Sequence, residues 1–137
     1  MKRMTSVEEI LSAKREEIAL LRRQAPSRTR SRGRFSFLSA LVSTGLSVIA
    51  EIKRSSPSAG DFAVDVVALR DAYVDAEVAA LSILTDRHFG MSVDDLESLA
   101  KNCSLPILRK DFILSREQIV EADAIGADAV LLIASFL

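Results

Sequence analysis

Apolar positions along this chain follow two periods, and the alternation between them predicts its elements. Val7, Ile10, Leu11, Ile18 and Leu21 recur at helical spacing. Ser6 stands ahead of them with Glu9 three residues on, the pairing that caps a helix reciprocally. A first helix is predicted over residues 6–23. From Phe35 onward a rhythm sets in: a short helix from Phe37 to Val42, a strand from Val48 to Lys53, the loop RSSPSAGD, and a helix with Val66, Val67, Leu69, Tyr73 and Val74 apolar. A second strand over 80–86 leads through the loop RHFGMS to a helix opened by Ser92, with Leu96 and Leu99 inward. LPILRKDF, 105–112, reads as a third strand; Ser115 caps a helix that runs through Ala124 and ends at Gly126. ADAVLLIASFL, 127–137, reads as a fourth strand. Strands alternating with helices, and strands that are near-continuously apolar, indicate βαβ units around a parallel sheet. The predicted class is α/β with right-handed crossovers.

Composition narrows the picture without supplying chemistry. A chain of 137 residues, 49% hydrophobic and 27% charged, has the make-up of a soluble globular domain. A formal net charge of −1 argues against wholesale nucleic-acid or membrane binding. No run approaches the roughly 20 apolar residues of a membrane span, and the N-terminus is charged and amphipathic, so a cytoplasmic location is expected. The single cysteine, Cys103, can form neither an intrachain disulfide nor a thiolate cluster and is expected in the core. Six arginines lie between Arg22 and Arg34, with no acidic residue from Ile18 to Ala50. That run reads either as an anion-binding or RNA-binding arm or as a solvated linker around Pro26 and Gly33; without interleaved aromatics the linker is the expectation.

Two charged positions break the strand pattern. Within VIAEIKRSSPSAGD, Glu51 and Lys53 share one face of the first strand while Ile52 takes the other. Lys110 and Phe112 likewise share a face at the end of the third. Parallel α/β sheets and barrels gather their chemistry at the C-terminal ends of strands. A buried ion pair is a poor stabiliser, because desolvation offsets its Coulombic gain. The recurrence of charge at two strand ends therefore points to a site.

At these residues the chain resembles a known family. IAEIKRSSPSAGD, LSILTDRHFGMS, PILRKDFI and GADAVLLIA, in this order and spacing, resemble the first four strand and loop segments of indole-3-glycerol-phosphate synthases. The likeness runs from about Thr5 to the last residue and rests on E-x-K-x-x-S-P-S and K-D-F. It implies a (βα)8 barrel with an N-terminal helical extension. It also implies ring closure, decarboxylation and dehydration of 1-(2-carboxyphenylamino)-1-deoxyribulose 5-phosphate in tryptophan biosynthesis, a carboxy-lyase activity needing no cofactor and no metal.

Carried onto matching positions, the resemblance makes Lys110 the general acid on the substrate carbonyl, Lys53 a contact to the anionic substrate and Glu51 the acid that holds both cations. Without such a carboxylate, two neighbouring ammonium groups would lower each other's pKa. Phe89 and Phe112 match groups lining the anthranilate ring, although a phenylalanine at a strand end also simply packs; Ser56 matches a position beside the substrate phosphate. His88 receives no role and is read as a loop residue, and Met91 stands where relatives often carry glycine.

A (βα)8 barrel needs about 250 residues. The expectation is therefore residues 1–46 as a helical extension with a basic linker and 47–137 as a half-barrel of strands one to four. The family's later-strand glutamate, its asparagine partner and the late phosphate loops are then missing, and the isolated chain is expected to turn over little or not at all. Its open edges imply self-association, or pairing with a separate C-terminal half. The competing reading is a non-enzymatic, self-associating half-barrel scaffold.

Overall fold

The computed structural model describes residues 6–24, 28–42, 45–56 and 58–136; Pro26, Pro57 and Leu137, which figure in the sequence reading, lie outside them. Helix α1 (Val7–Arg23) opens on its reciprocal cap, Glu9 N donating to Ser6 Oγ at 3.2 Å and Ser6 N to Glu9 Oε2 at 2.9 Å. Then come α2 (Phe37–Leu41), β1 (Ile49–Ile52), the small hairpin β2 (Ser55–Ser56) and β3 (Gly60–Asp61), and α3 (Val66–Asp75). The remainder is β4 (Ala80–Leu84), α4 (Val93–Ala100), β5 (Ile107–Lys110), α5 (Arg116–Ala124) and β6 (Ala129–Val130). The hairpin lies inside what the sequence presents as an unpaired loop.

Strands β1, β4, β5 and β6 form one parallel sheet in chain order, each laid beside its predecessor, the topology that a (βα)8 barrel repeats. The register aligns Ile52, Ile83, Arg109 and Val130 in one row and Glu51, Ser82, Leu108 and Ala129 in another. Alternation sends the first row toward the helices and the second to the opposite face. On the helix side Ile52, Leu81, Ile83 and Ile107 are fully buried against Leu96, Leu99 and Ile125. Each such side chain contributes about 1.5–3 kcal/mol of burial. Cys103 belongs to this core, as expected of a small apolar residue.

The fourth strand is far shorter than the apolar run suggests. Only Ala129–Val130 pair with β5; Leu131 N still donates to Arg109 O at 3.3 Å, and the chain then turns into a 3-10 turn at Ala134–Phe136. The cause lies in the neighbour: β5 ends at Lys110, so residues beyond Leu131 have no ladder to join.

The arginine run is not the expected solvated linker. Arg28 binds Glu97 at 2.5 Å and Asp94 at 2.6 Å on α4; Arg30 binds Asp128 at 2.5 Å and the Ala127 carbonyl at 2.7 Å; Arg34 pairs with Asp123. Arg32 donates to the Leu105 carbonyl at 2.9 Å while its guanidinium lies 4.4 Å from the Phe35 ring centroid. The segment is a strap across the outer helices. Gly126, at φ +101°, makes room for it, since a Cβ there would meet Ala100 Cβ at 3.0 Å and Arg32 Cδ at 3.2 Å.

Candidate active site at the strand ends

The sheet register brings the three charged residues singled out in the sequence together. Lys110 pairs with Leu84, and continuing the β1 register by one residue sets Lys53 on the other side of Leu84, roughly 10 Å from Lys110 across two strand spacings. Glu51 lies two rows below on the same face and bridges the gap: its Oε1 accepts from Lys53 Nζ at 2.6 Å and its Oε2 from Lys110 Nζ at 2.5 Å. Each carboxylate oxygen thus holds a different ammonium. All three side chains stay open to solvent, at 29% exposure for Glu51, 33% for Lys53 and 42% for Lys110. Burial alone would raise the Glu51 carboxyl; hydrogen bonds and charge from Lys110 and Lys53 outweigh it and hold the group below its ordinary value. The trio carries one net positive charge, presented to the uncovered face of the sheet. That is the electrostatic form of a receptor for an anion whose neighbouring oxygen gains charge during reaction.

The other candidates are placed less directly. Phe89 ends a 3-10 turn, Arg87–Phe89, and its carbonyl accepts from Arg54 N at 3.1 Å, which fastens the loop after β4 to the loop after β1. Ser55 Oγ to His88 O at 3.2 Å strengthens that tie. Gly90 at φ +70° permits the approach, because a Cβ would stand 3.0 Å from Arg54 Cβ. Met91 is buried and its sulfur lies 3.2 Å from Arg54 Nη1. Phe112 is half-buried and packs against Phe136 with centroids 6.1 Å apart. The Ser56 hydroxyl lies 3.0 Å from that of Ser58.

Sequence reasoning missed a second charged cluster on the helix side of the same strands. Lys14, 2% exposed, reaches Asp86 at 3.0 Å, Asp111 at 2.9 Å and Glu17 at 2.7 Å. Arg109 joins it through Asp111 at 3.0 Å, Glu121 at 2.9 Å and Thr85 Oγ1 at 3.0 Å. His88, read as a plain loop residue, sets Nδ1 2.6 Å from Asp86 Oδ1. A signal for this cluster exists in α1: Lys14 occupies the centre of the stripe Ile10, Lys14, Ile18 at four-residue spacing. Ser82, in register with Glu51, is also new: it buries a hydroxyl that has no hydrogen-bond partner among the described residues.

A cavity of about 280 Å3 opens beside this cluster, lined by Ile18, Leu21, Thr85, Arg109, Gln118 and Glu121 among others. It lies on the helix side, away from Glu51, and Thr85, Arg109, Gln118 and Glu121 are already bonded within the protein. Among the described residues, no group of three or more His, Cys, Asp or Glu is placed to hold a metal ion, and no helix is long and apolar enough to cross a membrane.

Comparison with known proteins bears on this arrangement. The profile of the indole-3-glycerol phosphate synthase family matches residues 4–137. Curated relatives described as indole-3-glycerol phosphate synthase include one from a Polaromonas species, 42% identical over 135 residues, covering 95% of this chain and 51% of the relative. One from Leptospira interrogans is 42% identical over 132 residues, covering 94% and 51%, and one from Chlorobium limicola 43% over 148 residues, covering 98% and 56%. The chain spans about half the length of the curated relatives it matches.

Proposed function

Because the chain belongs to the indole-3-glycerol phosphate synthase family, we propose that Glu51, Lys53 and Lys110 form part of a site for closing the indole ring of 1-(2-carboxyphenylamino)-1-deoxyribulose 5-phosphate. The observation that carries the proposal is the Glu51 bridge, 2.6 Å to one ammonium and 2.5 Å to the other. As the aromatic carbon attacks the substrate ketone, the ketone oxygen gains negative charge. Lys110 supplies a proton or a charged hydrogen bond to that oxygen. Lys53 meets a carboxylate or phosphate of the substrate, and Glu51 keeps the two cations from separating. Phe89 and Phe112 supply faces for the anthranilate ring, and Ser56 the edge nearest the phosphate. Loss of carbon dioxide and of water completes the reaction.

In the same reading, residues 1–46 are an extension, residues 47–137 are barrel strands, and the setting is cytoplasmic. The described residues of this polypeptide hold four parallel strands where a closed barrel has eight. Its turnover is expected to lie far below that of a closed barrel, so binding is the decisive assay. The anthranilate moiety is fluorescent, and titration with the carboxyphenylamino substrate reads affinity directly. Lys110→Ala and Lys53→Ala are each expected to weaken binding about tenfold or more. Equal affinity in both variants and the parent would overturn the assignment.

The open face supports self-association as well. Ile49 on the edge strand β1 and Leu131 and Leu132 just after the edge strand β6 are 42%, 37% and 49% exposed. A second copy laid against them buries this surface; a monomeric mass by sedimentation at micromolar concentration would exclude it.

A further inference from the structure

Lys14 stands on α1, outside the sheet, yet its ammonium joins two loops that reach the opposite face. Asp86 organises the turn that carries Phe89. Its Oδ1 accepts from His88 N at 2.9 Å and its carbonyl from Phe89 N at 2.9 Å, while its Oδ2 lies 3.0 Å from Lys14 Nζ. Asp111 sits between Lys110 and Phe112. Its Oδ1 accepts from Phe112 N at 2.8 Å and from Lys14 at 2.9 Å, and its Oδ2 accepts from Thr85 Oγ1 at 2.6 Å and Arg109 at 3.0 Å. Thr85 N in turn donates to the Lys110 carbonyl at 3.3 Å. Asp86 and Asp111 are 1% and 5% exposed, so each needs a cation inside the protein.

We propose that Lys14 is a positioning residue: from the outer helix it fixes the distance between the turn bearing Phe89 and the segment Lys110–Phe112, and thereby the fit of the substrate ring between them. This rests on the assignment of the strand-end site made above. The argument is one of charge. Asp111 keeps Arg109 when Lys14 is lost, whereas Asp86 keeps only the hydrogen bonds of its own turn and His88. Two buried carboxylates then repel each other with no cation between them; Thr85, through its bonds to Asp111 at 2.6 Å and to the Lys110 carbonyl at 3.3 Å, still ties the strand ends, and the movement that relieves the repulsion is separation of the two loops beyond that tie. The loop after β1 is bonded to the turn bearing Phe89 by Arg54 N and Ser55 Oγ and to α4 by Arg54 with Asp95 at 2.8 Å, so it is expected to follow that turn in part, while α3 stands outside these contacts.

The test uses the 137-residue polypeptide, with amide hydrogen exchange and titration by the carboxyphenylamino substrate. In Lys14→Met, exchange at residues 87–90 and 111–114 is expected to rise together about tenfold while α3 is unchanged. Substrate affinity falls by a similar factor, and Lys14→Arg recovers part of both. Should Lys14→Met not fold, the charge-balanced pair Lys14→Gln with Asp86→Asn removes the repulsion together with the bridge, so protection at 87–90 and 111–114 and substrate affinity are expected to stay near the parent; loops loosened about tenfold in that pair would overturn the charge argument. In Lys14→Met, a uniform rise over the whole chain, unchanged loops, or unchanged affinity with loosened loops each overturns the positioning role. Lys110→Ala binding as tightly as the parent overturns the site assignment instead, and it does so with the loops after β4 and β5 still protected.

Discussion

The two faces of the same strands carry the same kinds of charge to opposite ends. On the open face, Glu51 holds Lys53 and Lys110 at a third or more exposure, with one positive charge in excess. On the helix face, Lys14, Arg109, Asp86 and Asp111 are all at most 5% exposed, and Glu17 and Glu121 complete a set of short contacts. A closed network has nothing left to offer a ligand and serves to hold loops. An open, charge-unbalanced one retains lone pairs and protons for something that arrives. Alternation of side chains along a strand is enough to separate the roles: Lys110 and Asp111 are neighbours in sequence and belong to different clusters.

The largest contrast is expected from Asp111→Ala, which leaves Lys14 and Arg109 buried without their shared partner. Thermal or denaturant unfolding is expected to register a loss of about 3–5 kcal/mol. Acid acts on both faces in sequence. The Asp111 carboxyl would be raised by burial, but Lys14 and Arg109 outweigh this and hold it below 3.8; Glu51 is held below 4.5. A depressed folded pKa means that the unfolded chain takes up its proton first. The two carboxyls' contribution to stability is then complete above the ordinary values, begins to fall as pH drops below them, and is lost as pH falls through the depressed folded-state values. Denaturant midpoints are expected to begin falling near pH 4.5, as Glu51 protonates in the unfolded chain, and to fall further below 3.8; midpoints flat from pH 6 to 3 would contradict the linkage.

Arg30→Ala tests the strap. Asp128 keeps the Phe35 and Ile107 amides and Arg32 at 3.5 Å, so the expected cost is about 2 kcal/mol at unchanged denaturant slope. The smallest stability effect belongs to Glu51→Gln. Its half-exposed pairs contribute within about 1 kcal/mol to folding, while substrate affinity falls about tenfold. A large stability loss there would erase the distinction between the faces.

What the chain reveals before folding follows the range of each interaction. The caps at Ser6 and Ser92 span three residues, and both are formed as read. Glu51 and Lys53 share a face by simple alternation, and Lys110 joins them through a motif as well as a register. The buried cluster was not legible, because the closeness of Asp86 and Asp111 depends on Leu84 pairing with Lys110, a register set by the whole sheet. Lys14 at the centre of an apolar stripe was the one local sign of it. The arginine strap looked like a linker because its carboxylates lie 66 to 98 residues further along. The length of β6 depends on where β5 stops, which its own apolar run does not encode.

Asp128 collects Arg30, Arg32, the Phe35 amide and the Ile107 amide at one nearly inaccessible carboxylate. On a ribosome, Arg30 to Phe35 emerge long before residue 128, and at 5–20 residues per second the interval is roughly 5–20 s. Within that time α4 brings Asp94 and Glu97 to Arg28, while Arg30 and Arg34 still wait for Asp123 and Asp128. Fastening the whole strap is therefore a late event in synthesis, and the outer helices must settle first.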